Sequence, residues 1–287
     1  MKVWIDGQML DKAHAKVSVF DHGLLYGDGV FEGIRVYGGK IFRCRAHMDR
    51  LFASAKSIRL AIPISSQEIE EAMRQCIGAN GIVDGYIRLV VSRGVGNLGL
   101  DPNKCARPTV IIIADQIALY PSKMYEEGMA VIIAKTRRTS AIMLPPAVKS
   151  LNYLNNILAK MEATDAGVCE ALMLNDKEEL AEASGDNVFL VKDGKVLTPP
   201  TDAGILIGVT RQIVIDLSAK LGLAVSERPL RVDDIRSADE CFLTGSAAEI
   251  IAVTRVDDFA IGTGSPGTIT QRLQKAFQEM IASGQFE

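Results

Sequence analysis

Lys149 stands where a lysine can do chemistry. It follows the apolar, proline-broken stretch Ala141–Val148 and immediately precedes a helical pattern. An ammonium set against apolar surroundings loses hydration, which lowers its pKa and favours a neutral amine able to form a Schiff base. A single lysine near a helix start is more often simply solvated, so its meaning depends on its company. Glu182 lies in the small-residue stretch Leu180-Ala181-Glu182-Ala183-Ser184-Gly185-Asp186-Asn187. Backbone can approach a ligand closely there, and a carboxylate could hold a proton on a heteroaromatic nitrogen. Gly204–Arg211 runs through Gly208, Val209 and Thr210 straight into a helix. Amides at a helix N-terminus plus a threonine hydroxyl make an anion site. Thr244-Gly245-Ser246-Ala247-Ala248-Glu249 is a further turn of this kind at a strand end. Taken singly these are a hairpin with exposed acids, an ordinary cap and a turn. Taken together, an amine nucleophile, a carboxylate and two small-residue turns for a phosphate suit pyridoxal 5′-phosphate.

Electron-sink chemistry of that kind needs no histidine, and histidine is scarce. The three histidines, His14, His22 and His47, all fall in the first 47 of 287 residues. The five cysteines never come closer than 29 residues, so no zinc-type cluster has material and the thiols read as reduced. Lys+Arg 32 against Asp+Glu 35 leaves a charge of −3, which gives no reason to expect nucleic acid or an anionic membrane. With 48% hydrophobic and 23% charged residues the composition is globular and no apolar run approaches a membrane span; Asp6, Gly7 and Gln8 interrupt any basic-then-apolar pattern, so no leader is expected. A cytoplasmic address is expected.

The elements that must position these residues are mixed. Lys2–Asp6 and Val17–Phe20 alternate like strands, and Gly29–Tyr37, Gly38-Gly39 and Lys40–Phe42 form a hairpin pattern. Helical spacing covers Ala46–Ile58, and Ser65-x-x-Glu68 is a capping box for a helix through Ile77. Strands are expected at Gly85–Ser92 and Thr109–Gln116. Beyond 118–128, which has neither period, come a strand at Met129–Lys135, a helix at Leu151–Ala166 and a strand at Ala171–Asn175. A hairpin turning at Asp193-Gly194 follows, then a helix at Val209–Leu221, strands at Ala224–Arg228 and Glu240–Thr244, and a closing helix. The expectation is an α+β (mixed α/β) protein of two domains. These are a small N-terminal domain over 1–117, a linker over 118–128 and a larger cofactor-binding domain over 129–287, with the site between them.

Seven motifs then stand in one order: Tyr26-Gly27-Asp28-Gly29-Val30-Phe31-Glu32-Gly33-Ile34-Arg35, His47-Met48-Asp49-Arg50-Leu51, Tyr86-Ile87-Arg88, Lys149-Ser150-Leu151-Asn152-Tyr153-Leu154, Glu182-Ala183-Ser184-Gly185-Asp186-Asn187, Gly208-Val209-Thr210-Arg211 and Gly245-Ser246-Ala247-Ala248-Glu249. From about Trp4 to Ala276 the chain resembles the branched-chain aminotransferases of the class IV, or fold type IV, pyridoxal-phosphate enzymes. The resemblance implies that Lys149 is the Schiff-base lysine and proton shuttle, and that Glu182 pairs with the pyridinium nitrogen. By the same resemblance Tyr153 donates to the ring's phenolic oxygen, and Arg50, Val209, Thr210 and Ser246 hold the phosphate. It further implies a substrate pocket of Tyr26, Phe31, Gly33, Arg35, Tyr86 and Arg88, with amides around Ser246 and Ala247 receiving the α-carboxylate. Strand period supports part of this, placing Phe31, Gly33 and Arg35 on one face of their strand with Gly33 leaving space, and letting Tyr86 and Arg88 likewise share a face of theirs. Arg50 is expected to grip phosphate bidentately.

The implied reaction is a ping-pong transamination from L-leucine, L-isoleucine or L-valine to 2-oxoglutarate, a step of branched-chain amino-acid biosynthesis. A homodimer or a hexamer built as a trimer of dimers is implied, with Tyr26 reaching the pocket from a partner subunit. D-amino-acid aminotransferases, (R)-amine transaminases and aminodeoxychorismate lyases share the scaffold, and fold does not choose among them. The D-amino-acid enzymes carry an Arg-x-His pair where this chain has Arg93-Gly94-Val95. A non-catalytic ligand-binding or scaffold protein that kept the fold is the alternative of another class; Lys149 and Glu182 together argue against it.

Overall fold

A computed structural model describes residues 1–117, 120–284 and 286, and they fall into two compact units. The first comprises 1–117, 148–153 and Phe286. Its elements are β1 (Lys2–Ile5), β2 (Gln8–Asp11), α1 (His22–Tyr26), β3 (Gly29–Tyr37), β4 (Lys40–Ile41), α2 (Cys44–Ser57), α3 (Ser66–Asn80), β5 (Gly85–Ser92) and β6 (Thr109–Asp115). The strands make one antiparallel sheet in the order β2-β1-β6-β5-β3-β4. Alternation along β3 and β5 sorts the two faces. Val30, Ile34, Ile87, Leu89 and Val91 point into a core filled by Met48, Leu51 and Ala55 of α2 and by Ile69, Met73 and Cys76 of α3. The odd-numbered residues of β3 therefore lie on the opposite face.

Residues 149–151 extend this sheet. The Phe31 amide donates to the Lys149 carbonyl (3.0 Å), the Leu151 amide donates to the Gly29 carbonyl (2.9 Å), and Val30 bridges Ser150. That edge of β3 is open because β4 pairs only with Val36 and Tyr37. Leu151 is thereby held in an extended segment, and the helix expected from Leu151 begins at Leu154.

The second unit comprises 120–147 and 154–284. It holds α4 (Ser122–Glu127), β7 (Met129–Ile133), α5 (Leu154–Asp165), β8 (Glu170–Leu174), β9 (Leu180–Ala183), β10 (Asn187–Lys192), β11 (Lys195–Thr198), α6 (Val209–Lys220), β12 (Val225–Glu227), α7 (Val232–Arg236), β13 (Glu240–Gly245), β14 (Glu249–Val256), β15 (Phe259–Ala260) and α8 (Thr268–Ala282). Its sheet runs β12-β11-β10-β13-β14-β7-β8-β9, with β15 beside β14. The pairs β7–β8, β7–β14 and β11–β12 are parallel and the others antiparallel, so the fold class is the expected mixture of α and β.

Two local expectations give way. Val17–Phe20 forms no strand, because Ser18 closes a turn: its carbonyl accepts the Asp21 amide (3.1 Å) and its hydroxyl the Phe20 amide (3.1 Å). The span 118–128, expected as a linker, begins with Ala118 and Leu119, which lie outside the described residues. From Tyr120 onward it contains α4, and Tyr120, Met124 and Tyr125 pack on the core of the second unit. No helix among the described residues is long and apolar enough to cross a membrane.

Candidate active site

In the first unit the segment along β3 delivers the lysine. Lys149 Nζ lies 3.2 Å from the Tyr153 hydroxyl and 4.6 Å from the centre of the Phe31 ring. Phe31 and Tyr153 meet edge to face at 4.9 Å. The Lys149 amide donates to Ser54 Oγ of α2 (3.2 Å), which fixes the backbone beneath the amine.

The face of β3 and β5 turned away from the core gathers the expected pocket residues. Gly33 pairs with Arg88 and Arg35 with Tyr86, and the Arg88 guanidinium sits 4.6 Å over the Phe31 ring. Gly33 does leave space, but the Tyr86 phenol fills it: a β-carbon at position 33 would overlap the Tyr86 hydroxyl. Tyr26 is placed apart from this group. It is exposed in α1, where its hydroxyl accepts the Gly99 amide (3.0 Å).

Arg50 makes a bidentate grip on a carboxylate of this chain. Its Nε and Nη2 donate to Glu32 Oε1 and Oε2 (2.8 and 2.7 Å), and His47 Nδ1 lies 2.8 Å from the same Oε2. Glu32 and His47 are fully buried. The arrangement follows from two periods: Glu32 is an even, core-facing residue of β3, and His47 and Arg50 are one helical turn apart on α2. Burial opposes ionisation of Glu32, but the Arg50 charge and the hydrogen bonds from Arg50 and His47 outweigh it and hold the carboxyl at about 2. Burial pushes the His47 imidazole below its usual range, with Glu32 only partly offsetting it. For Arg50, burial is outweighed by Glu32, which keeps the guanidinium charged. Sequence reasoning missed Glu32 as a partner; the signal was an acid at an inward position opposite a His-x-x-Arg helix face.

In the second unit Glu182 is the centre. It is 4% exposed on β9, and Arg138 Nε donates to its Oε1 (2.7 Å). The Leu206 amide (2.9 Å) and Asn187 Nδ2 (3.3 Å) donate to Oε2. Asn187 also donates to the Leu206 carbonyl (2.9 Å), so it staples the loop before α6 to β10. A β-carbon at Gly208 would overlap Asn187 Oδ1, which explains that glycine. Helix α6 opens on Gly208 without a side-chain cap and carries no acid in its first turn; Val209 begins it and Thr210 is buried. Ser246 and Ala247 are half-buried in the turn between β13 and β14. No residue pattern in the sequence pointed to Arg138.

With this geometry in place, the class of protein is defined. The model for the class IV amino-transferases matches residues 29–256, and the chain belongs to that family. It is an aminotransferase with the mixed α/β fold of type IV. A putative branched-chain-amino-acid aminotransferase of Methanocaldococcus jannaschii is 48% identical over 98% of this chain and 96% of its own length. The solved branched-chain aminotransferase of Escherichia coli superposes with a TM-score of 0.95 at 36% identity, covering 98% of this chain and 94% of that one. The branched-chain aminotransferase of Thermobaculum terrenum, solved in its PLP-form, superposes with a TM-score of 0.89 at 31% identity, covering 99% of this chain and 95% of that one. A D-alanine aminotransferase of Listeria monocytogenes is 36% identical over 100% of this chain and 99% of its own length.

Proposed function

We propose that this aminotransferase moves the amino group of L-leucine, L-isoleucine or L-valine to 2-oxoglutarate, yielding branched 2-oxo acids and L-glutamate, with pyridoxal 5′-phosphate as cofactor. The observation that carries the reading is Lys149 Nζ held 3.2 Å from the Tyr153 hydroxyl, beside Phe31. The residues fit the cofactor's chemistry: an amine with a phenol beside it, a buried carboxylate clasped by donors, and a helix start without a side-chain cap. When bound, the cofactor supplies the electron sink that makes the substrate Cα–H acidic.

This chain's residues do the rest. Lys149 anchors the cofactor and carries the proton to and from the substrate Cα. Tyr153 donates to the cofactor's phenolic oxygen and Glu182 holds the proton on the ring nitrogen. Arg50, kept charged by Glu32, holds the phosphate together with the backbone amides of Val209 and Thr210 and the hydroxyls of Thr210 and Ser246. Phe31, Arg35, Tyr86 and Arg88 take the side chain, aliphatic or carboxylate, with Gly33 giving the Tyr86 phenol its room and Tyr26 contributed by a second copy in a homo-oligomer. Amides at Ser246 and Ala247 take the α-carboxylate.

The full-length identity with a D-alanine aminotransferase makes the D-amino-acid reaction the second reading. The state of Arg93 weighs against it. Arg93 is buried, its Nε and Nη2 donate to Asp28 (2.9 Å each), and it donates to the carbonyls of Ile58 (2.7 Å) and Arg59 (2.8 Å). It ties a loop to the end of α2 and has Gly94-Val95, not a histidine, after it. A panel of L- and D-amino acids and primary amines, with 2-oxoglutarate and pyruvate as acceptors, tests the reading. The L-branched acids with 2-oxoglutarate are expected to give the highest kcat/KM, and a higher value for D-alanine would overturn it.

A further inference from the structure

We propose that Arg138 is a positioning residue that decides where the proton between Glu182 and the cofactor's ring nitrogen resides, keeping it on the nitrogen. This rests on the reading above that Glu182 faces that nitrogen. A carboxyl and a pyridine nitrogen compete for one proton, and in a buried site the neutral pair is favoured unless a fixed charge stabilises the carboxylate. Glu182 is such a carboxyl, set in β9 between the buried Ala181 and Ala183. Its salt-bridge partner is Arg138, at 2.7 Å and itself 7% exposed.

The guanidinium is built in. Arg138 Nη1 donates to Asn155 Oδ1 and Asn156 Oδ1, both at 3.1 Å. The orientation of these two amides is fixed from behind: Asn155 Nδ2 donates to the Arg137 carbonyl (2.8 Å) and Asn156 Nδ2 to the Ser184 carbonyl (2.8 Å). With their NH2 groups so engaged, both asparagines must present oxygen to Arg138. The Arg138 amide donates in turn to the Leu174 carbonyl (2.8 Å). The cation is thus held against one carboxylate oxygen, with Nε taken by Glu182 and Nη1 by the asparagines. A neutral side chain in its place removes the charge that disfavours Glu182–H, and the proton moves from nitrogen to carboxylate.

The test uses the holoenzyme loaded with cofactor carrying 15N in the ring, whose NMR shift reports protonation directly and without turnover. The wild type is expected to show a protonated nitrogen, Arg138→Met a shift toward the unprotonated position, and Arg138→Lys a shift near wild type. Arg138→Gln, neutral but hydrogen-bonding, decides in place of the methionine variant should that one fail to fold or retain cofactor. It is expected to shift like it. Glu182→Gln is measured alongside and should also move toward the unprotonated position. If Glu182→Gln moves and the neutral Arg138 variants stay at the wild-type shift, the proposal is overturned while the reading of Glu182 stands. If Glu182→Gln leaves the shift unchanged, the reading of Glu182 falls, and the proposal with it.

Discussion

The hydroxyl of Tyr86 lies over Gly33, in the volume that a β-carbon on that residue would occupy. The two are not directly opposite in the ladder: Gly33 pairs with Arg88, so the tyrosine reaches diagonally across from its place beside Arg35. Overpacking at such a contact costs about 1–3 kcal/mol. Gly33→Ala is expected to lose stability in that range by denaturant unfolding. In the Gly33→Ala/Tyr86→Ala pair the clash is gone, so the cycle should show a coupling of about 1 kcal/mol or more. Additive single effects would mean that the phenol does not occupy that space.

Acid should loosen the first unit in a defined order. His47 has a folded pKa below the unfolded 6.5, so the unfolded chain binds the extra proton and stability declines as pH drops below about that value. Glu32 has a folded pKa of about 2 against 4.5 unfolded, so its contribution is complete above about 4.5 and is lost as pH falls toward about 2. The carboxylate's share is about 3 kcal/mol, from 1.36 kcal/mol per unit. Chemical unfolding from pH 7 to 2 should show both declines, and Glu32→Gln should lose the lower one; an identical lower limb in the variant would refute the pairing.

Lys149→Ala is expected to abolish turnover and the visible band of the lysine-bound cofactor while leaving the apo fold intact. The sheet contacts of this segment come from its backbone, which the substitution preserves. Near-normal turnover in the variant would end the assignment of Lys149.

Arg93 is expected to matter for stability and not for substrate choice. Arg93→Met removes donors to Asp28 and to two carbonyls, a loss of about 2–4 kcal/mol when charged hydrogen bonds in a buried setting are broken. In the folded fraction the KM for 2-oxoglutarate should stay within about threefold of wild type. A selective rise well beyond that would make Arg93 a substrate ligand.

Local rules carried much of the fold. Ser65 and Glu68 form the expected capping box, and Asp193-Gly194 and Gly38-Gly39 take the paired positive φ of a tight hairpin turn. What stayed hidden were elements defined by partners distant in sequence. Strand β2 is found only by its pairing with β1, and α1 is five residues long, too short to show a period between its Asp21 cap and Gly27. Of the proposed site, residue chemistry singled out Lys149 and Glu182, because an amine and a carboxylate in small-residue or apolar surroundings are visible in one dimension, while Arg50 entered only through the family resemblance. Their partners were not visible: Glu32 meets Arg50 across 18 residues and Arg138 meets Glu182 across 44. A charged residue in a sequence does not name its counter-ion.

The short ladder between β3 and residues 149–151 also bears on the order in which the chain can mature. Emerging from a ribosome, residues 1–117 can build their sheet and its helices, yet one border of β3 stays unzipped until more than thirty further residues have been added. Lys149 is therefore a latecomer to a scaffold already standing. A fragment cut after residue 117 would present the Phe31 amide and the Gly29 carbonyl as an adhesive margin, inviting a strand from some other molecule.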